Sequence, residues 1–384
     1  MISIKEREGK LLNFFTPLMV VIVGSILLSF FGNLISLIIY LIDPLFQWDY
    51  TIVNLLILII SQILGILIVY FLIIPLYKAK NVEYQPPNLR NLIRTIYLIC
   101  GTFSAVFVSN YVLLYFCRVF NIIPQGGYNE LLLRLEHLAN PLNILIYYLP
   151  FAIGAPIYEE LVYRRLLIPL LEKRGMSPLI AVTSSSLIFA IAHLPSDLIY
   201  GNLSGGIIHI WGIFIIGMSL GVIYVLSRNI LYPIIIHGVL NFISFSSPLI
   251  IILGNELMIL SYNIIIWIII IIGAGVLFIV VWQLLRKKKV EWVIILKEKA
   301  QYNIKKGILG LLILGIISVF LPIVLQLAFI NVALNNVLLY FVALICSNAL
   351  VIILFLWLGT KANYESNNTK NLLKNNKKNK NLEV

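Results

Sequence analysis

The stretch IYEELVYRR, from Ile157 to Arg165, places charged side chains inside an apolar run of sequence that begins near Leu142. Glu159 and Glu160 are adjacent carboxylates within this run. At the centre of a membrane helix, a charged side chain costs about 2.5–3.5 kcal/mol on insertion scales. Ionisable residues in such positions are functional by default. The first question is therefore whether the surrounding chain forms a membrane bundle.

The composition of the chain answers that question. Of its 384 residues, 61% are hydrophobic and only 11% are charged, which is too little polar surface to coat a soluble globule of this size. Apolar stretches recur at lengths near or above the ~20 residues that cross a bilayer as a helix. The sequence predicts an all-α, polytopic membrane helical bundle, a multi-pass protein of the cell membrane. About ten transmembrane helices are expected, at 12–42, 51–77, 95–117, 143–170, 178–199, 207–227, 230–252, 259–285, 307–332 and 336–359.

The net charge of +12 could indicate nucleic-acid binding, so the distribution of the basic residues has to decide. If the N-terminus is cytoplasmic and the ten spans alternate, every Lys and Arg except Arg118 and Arg134 falls on the inner side. This asymmetry follows the positive-inside rule. It predicts that both termini are cytoplasmic, that the lipid bilayer is the partner of the basic loops, and that nucleic acid is not a partner.

Polar residues within the predicted spans concentrate between Pro150 and Asn241, so the chemistry is expected there. The last part of the chain is rich in Asn and Lys, a composition typical of disorder. The predicted organisation is three N-terminal spans in residues 1–142, a four-span catalytic core in 143–252, three further spans in 253–360, and a basic disordered tail in 361–384.

The two adjacent acids are predicted to have different roles. Residues four apart share one face of a helix, so Glu160 and Arg164 are expected to form an ion pair in the favourable order, acid before base. Glu159 points about 100° away from Glu160 on an ideal helix. One carboxylate is then neutralised structurally, while the other is free to face something else.

Two histidines and an amide are expected to reach the depth of Glu159. Glu159 and His193 lie equally far before and after Met176, the predicted turn of an antiparallel hairpin, so they sit at nearly the same depth. His237 and Asn241 are four residues apart and share a face of a later span. These four side chains are therefore predicted to converge in the inner half of the bilayer.

Other polar or small residues in the spans receive a structural interpretation. Gly217 and Gly221 have G-x-x-x-G spacing, which permits close helix packing. His209 and His137 lack polar neighbours at helical spacing, so they are interpreted as interhelical hydrogen-bonding residues without a catalytic role.

Three motifs carry a resemblance to a known family. EELVYR, FAIAH and HGVLN begin at Glu159, Phe189 and His237, and they match the patterns EExxxR, FxxxH and HxxxN in order. The chain resembles the CPBP intramembrane proteases over about residues 145–245. That family includes type II CAAX prenyl endopeptidases and bacterial Abi proteins linked to bacteriocin processing and self-immunity. The resemblance implies an intramembrane endopeptidase that acts on a membrane-associated peptide or protein.

The resemblance also implies roles for individual residues. Glu159 corresponds to the general base for water, and His193 corresponds to its partner on that water. His237 and Asn241 correspond to the pair that stabilises the oxyanion. This agrees with what peptide hydrolysis needs, an activated nucleophile and donors aimed at developing negative charge. Supporting roles are expected for Glu160, Arg164 and Phe189.

Several alternatives stay open at this point. Glu159, His193 and His237 would also make a plausible zinc set, but a ligating Glu159 would be lost as a base and H-E-x-x-H is missing. We therefore expect neither a metal nor another cofactor. A catalytically silent immunity or scaffold protein could keep the same fold. A proton-coupled transporter would also carry Glu and His in its spans, although Asn241 would have no purpose there. The sequence does not predict the oligomeric state.

Overall fold

The computed structural model describes residues 4–42, 50–77, 89–119, 141–173, 176–193, 203–285, 324 and 337–353. Every regular element in these residues is a helix, so the protein is an all-α polytopic membrane bundle. The helices are α1 (Ile4–Ile42), α2 (Tyr50–Ile68), α3 (Leu89–Val119), α4 (residues 141–173), α5 (Pro178–Ile191), α6 (Leu203–Ser227), α7 (Leu231–Leu253), α8 (Glu256–Leu285) and α9 (Val337–Ile353).

Within the described residues, six helices are long and apolar enough to cross a membrane. They are Ile22–Ile42, Ile52–Leu76, Ile96–Cys117, Ile208–Ser227, Leu231–Ile251 and Glu256–Ile279. The predicted span 143–170 corresponds to α4, and 336–359 appears as the shorter helix α9. Except for residue 324, the span 307–332 lies outside the described residues. The count of ten spans and the cytoplasmic termini therefore stay predictions, as do the domain boundaries.

The predicted span 178–199 is wrong at its C-terminal end. Helix α5 begins at Pro178, where the Ser177 side chain accepts a hydrogen bond from the backbone of Ile180, and it ends at Ile191. His193 therefore lies in the turn after the helix, where its backbone N–H bonds to the carbonyl of Ala190. The sequence explains the early end, because Pro195 follows and the residue before a proline is disfavoured in helical geometry.

Helix α4 is continuous but not uniform. It is α-helical at Pro141–Tyr148, Ala155–Glu160 and Ile168–Lys173, and π-helical at Leu149–Gly154 and Leu161–Leu167. A third π-helical stretch, Val69–Ile73, follows α2 and leads into the short helix Ile74–Leu76. Each of the three stretches ends two residues before a proline: Pro75, Pro156 and Pro169. A proline offers no N–H and its ring clashes with the preceding turn, so these positions favour a widened helix.

Helix α4 lies in the largest cluster of buried side chains, with α1, α5 and α6 packed around it. Close approach depends on small residues. A side chain at Gly217 would touch Ser186 on α5 at 3.0 Å, and one at Gly221 would overlap Val182 at 2.7 Å. The packing role predicted for the G-x-x-x-G spacing is therefore confirmed.

Candidate functional site

The glutamate pair lies between the two π-helical stretches of α4. Glu160 and Arg164 are both fully buried, and Glu160 Oε1 lies 3.1 Å from Arg164 Nη1. The predicted ion pair is present. Glu159 keeps 22% of its side chain exposed, so the two adjacent acids do face different surroundings.

The structure adds a contact that the sequence did not predict, because His237 on α7 lies between both glutamates. Its Nδ1 is 2.8 Å from Glu160 Oε1, and its Nε2 is 3.7 Å from Glu159 Oε2. A carboxylate paired with a guanidinium accepts hydrogen bonds, so Nδ1 carries the hydrogen that it shares with Glu160. Nε2 is thereby aimed at Glu159. Glu160 is thus more than the structural partner of Arg164, because the same oxygen also fixes the orientation of the imidazole.

The Phe189 ring connects the three motifs. It packs at a centroid distance of 4.9 Å from the His193 ring and 5.8 Å from the His237 ring. The guanidinium carbon of Arg164 lies 4.4 Å from the centre of the same ring, a cation–π contact. Phe189 therefore sets the spacing between the two histidines and holds the buried cation against its face.

His193 approaches this cluster from the turn after α5. Its Nδ1 lies 2.9 Å from the carbonyl oxygen of Phe189, and its ring interacts electrostatically with Glu159 and His237. The ring of His209, a residue that the sequence analysis set aside, lies 6.3 Å from that of His193. His137 lies outside the described residues. Glu159, His193 and His237 are thus brought into one neighbourhood, as the spacing of the motifs predicts.

Asn241 makes a contact with the backbone of α4. Its Nδ2 donates to the carbonyl of Phe151 at 2.9 Å, inside the first π-helical stretch. In a π-helix this carbonyl would receive the N–H of the residue five positions later, which is Pro156 and has none. Asn241 supplies the missing donor. A side-chain amide carries two N–H groups, so one remains for another acceptor.

The second π-helical stretch is held by side chains and carbonyls of α5 and α6. Ser185 donates to the carbonyl of Tyr163 at 2.7 Å, and Arg164 Nη2 lies 3.4 Å from the carbonyl of Gly217. Each contact joins α4 to a different neighbour. The conformation that presents Glu160 and Arg164 is therefore fixed from both sides.

The zinc alternative concerns the arrangement of three side chains. In the part of the chain that the structure describes, no group of three or more His, Cys, Asp or Glu side chains is arranged to hold a metal ion. The set that the sequence left open consists of Glu159, His193 and His237. In this structure both nitrogens of the His237 ring face carboxylates.

Sequence reasoning missed residues that hold the site from outside the motifs. Gln62 on α2 donates to the carbonyl of Pro150 at 3.2 Å, and Tyr158 donates to the carbonyl of Gly24 on α1. A signal was available for Gln62, because Ser61 and Gln62 are adjacent polar residues inside an apolar span. No signal was available for Gly24, because it contributes only its backbone carbonyl, which every residue has.

Comparison with known proteins addresses the same part of the chain. Residues 141–243 match the family described as Type II CAAX prenyl endopeptidase Rce1-like. No curated protein and no solved structure matches the chain. The matched segment contains α4, α5 and the part of α7 that carries His237 and Asn241, and all three motifs fall inside it. The match over residues 141–243, the family domain, supports the resemblance to the CPBP/CAAX protease family.

Proposed function

We propose that the protein is an intramembrane endopeptidase that hydrolyses a peptide bond of a membrane-associated peptide or protein with a water molecule activated by glutamate and histidine. The family of residues 141–243 supports a peptidase. The observation that carries the mechanism is the position of His237, with its two ring nitrogens directed at Glu160 and Glu159. A structural ion pair alone would not need a second carboxylate on the far side of that imidazole.

In this mechanism Glu159 is the general base. It is the less buried of the two acids, and it is not held by Arg164. Its carboxylate takes a proton from a water molecule while that water attacks the carbonyl carbon, and it then delivers the proton to the leaving amine. His193, which interacts electrostatically with Glu159, helps to position the water.

The developing oxyanion is stabilised from α7. Nε2 of His237 lies 3.7 Å from Glu159 Oε2, so the two atoms can contact different oxygens of one tetrahedral centre. Nδ1 donates to Glu160, so Nε2 can donate to the oxyanion only if His237 enters the reaction as an imidazolium, whose charge the Glu160 carboxylate offsets. Asn241 contributes its second N–H. Glu160 holds the ring in place, and Arg164 keeps Glu160 fixed.

The substrate is expected to enter from the membrane. The helices that carry the site are apolar, and the outer surfaces of α3 and α8 expose large hydrophobic side chains such as Tyr111, Phe116 and Trp267. This apolar setting favours a substrate chain that partitions into the bilayer. The name of the matched family adds one specific candidate, a prenylated C-terminal peptide. A bacteriocin or other peptide precursor is a second candidate.

Proteoliposomes that contain the purified protein test the proposal. One carrier peptide is offered in three forms: soluble, anchored by a farnesylated cysteine, and anchored by a transmembrane segment. We expect cleavage of at least one anchored form and none of the soluble form, with products identified by mass spectrometry. His237→Gln serves as the matched inactive control. Binding without cleavage would contradict the proposal and support a silent scaffold, and peptide-driven proton uptake without cleavage would support a transporter.

A further inference from the structure

Gln62 is a buried polar residue of α2 that lies outside the family domain. Only 4% of its surface is exposed, and it sits among apolar residues of a predicted span. Its Nε2 donates to the carbonyl of Pro150 on α4 at 3.2 Å. A buried amide in an apolar span is costly unless it is hydrogen-bonded. The contact with Pro150 offsets part of that cost, and the question is what Gln62 does at this position.

The carbonyl that Gln62 contacts belongs to the π-helical stretch Leu149–Gly154. The N–H of Ala155 bonds to the same carbonyl in the five-residue pattern of a π-helix. A carbonyl oxygen has two lone pairs, so Gln62 takes the second. Asn241 takes the next carbonyl, that of Phe151. Two side-chain amides from two different helices thus donate hydrogen bonds to adjacent carbonyls of the same π-helical turn.

The packing around Gln62 is specific to this arrangement. A Cβ atom at Gly154 would collide with the Gln62 side-chain amide. Glycine, which has no side chain, therefore provides the space that this amide occupies. One turn further along α4, Tyr158 donates to the carbonyl of Gly24 on α1, and its ring lies over Gly65 on α2. Helices α1 and α2 therefore contact α4 directly ahead of the glutamate pair.

The π-helical turn decides which way the glutamates face. Each residue advances an α-helix by about 100°, and a π-helical turn accommodates an additional residue. If Leu149–Gly154 relaxed to α-helix, the residues after it would rotate relative to the first part of α4. Glu160 would then lose its 2.8 Å contact with Nδ1 of His237.

We propose that Gln62 is a positioning residue for the glutamate pair: its amide holds the π-helical turn that sets the direction in which Glu159 and Glu160 meet His237. The proposal rests on the proposed function for its catalytic consequence. It assigns part of the machinery to α2, a helix that the family domain does not include.

The first test uses Gln62→Met, which keeps the length of the side chain and removes the donor. We expect kcat to fall about 10- to 100-fold while KM stays within about twofold, because substrate binding is preserved and the base is misplaced. The matched control is Ser61→Ala on the same helix. Ser61 is also buried, but its hydroxyl donates to Ile57 within α2, so kcat and KM should both stay close to those of the wild type.

The second test measures the surroundings of His237 by NMR and does not depend on enzymatic activity. The chain has four histidines, so ¹⁵N-histidine labelling gives few ring signals, and those of His237 are assigned with His237→Gln. Gln62→Met should shift the Nδ1 signal of His237 and Ser61→Ala should not. If the wild type cleaves nothing while this shift occurs, the proposed function fails and the positioning role stands. Unchanged signals together with wild-type kcat in Gln62→Met would overturn the positioning role.

A double substitution distinguishes the packing role of the Gln62 side chain from the role of its hydrogen bond. Gly154→Ala should lower the thermal unfolding midpoint, because its methyl group meets the Gln62 amide. In Gly154→Ala combined with Gln62→Ala, the midpoint should recover to that of Gln62→Ala alone. The kcat of this double variant should stay low because the donor is still missing. Recovery of kcat together with the midpoint would show that Gln62 acts through packing alone, and would also overturn the positioning role.

Discussion

Among the described residues, one Glu–Arg pair lies in the middle of α4 and another holds the C-terminal end of the helix. Glu160 and Arg164 meet at a single distance of 3.1 Å with both side chains fully buried. Glu172 on α4 and Arg228, in the link between α6 and α7, make two short hydrogen bonds of 2.7 and 2.9 Å with side chains 19% and 38% exposed. The half-buried pair of Glu172 and Arg228 has the better geometry. Hydrogen-bond geometry alone therefore does not show which pair contributes more to stability.

The degree of burial determines how much each pair contributes to stability. Glu172 and Arg228 are both partly accessible to water, which can solvate either charge if the other is removed. An ion pair that water reaches contributes little to stability. Glu160 is fully buried, and its second oxygen has no hydrogen-bond partner among the described residues. Removing one member of a buried pair leaves an uncompensated charge, so the cost there is large. The following predictions test this difference.

Arg164→Met should have the largest effect. It keeps a long side chain but leaves Glu160 buried without its cation, and it removes the contact with the Phe189 ring. We expect the free energy of unfolding to fall by about 3–5 kcal/mol in a denaturant titration in detergent. A decrease below about 1 kcal/mol would mean that the pair behaves like an exposed one.

Glu160→Gln should have an intermediate effect. The amide keeps the shape and can still contact His237, but it loses the charge that both Arg164 and the imidazole share. We expect about 1.5–3 kcal/mol of lost stability, less than in Arg164→Met, because the Gly217 carbonyl and the Phe189 ring still contact the guanidinium. Glu159→Gln is the matched control, and its unfolding curve should overlay that of the wild type. A greater loss in Glu159→Gln than in Glu160→Gln would reverse the roles assigned to the two acids.

Glu172→Gln should cost about 0–1 kcal/mol in the same titration, the range of an ion pair that water reaches. Its effect should shrink further when the titration is repeated at high salt, because exposed charges are screened. A loss equal to that of Arg164→Met would remove the distinction between the two pairs.

Arg228→Gly should have the smallest effect of all. Arg228 has a φ of 51°, a left-handed conformation that costs a residue with a side chain about 1–2 kcal/mol and costs glycine little. The relief of this strain should offset the lost ion pair, so we expect an unfolding midpoint close to that of the wild type. Arg228→Ala loses the pair without the relief, and it should be measurably less stable than Arg228→Gly.

The features that could be predicted from the sequence depend on local spacing. The pair of Glu160 and Arg164 follows from a four-residue separation, which survives even though a π-helical stretch begins between them. The common face of His237 and Asn241 likewise brings both to α4. The membrane class follows from composition, because long apolar helices need little else to specify them.

The features that were missed depend on contacts between distant parts of the chain. An ideal helix places Glu159 and Glu160 about 100° apart, and nothing local shows that one imidazole reaches both. The role of Gln62 depends on which carbonyl α4 presents to α2. The prolines at 75, 156 and 169 did mark the π-helical stretches. They are not sufficient by themselves, because Pro248 lies in α7 without one.

The proposal that Glu159 activates water without a metal can be tested by combining chelation with substitution of Glu159. Cleavage of a membrane-anchored peptide is followed under single-turnover conditions, with exhaustively chelated wild type beside chelated Glu159→Gln. We predict that chelation leaves the wild-type rate unchanged and that Glu159→Gln is slower by about 10²–10⁴-fold with its unfolding midpoint intact. Loss of wild-type cleavage on chelation, with recovery on adding zinc, would contradict the claim. The same residues would then have to be assigned as a metal site.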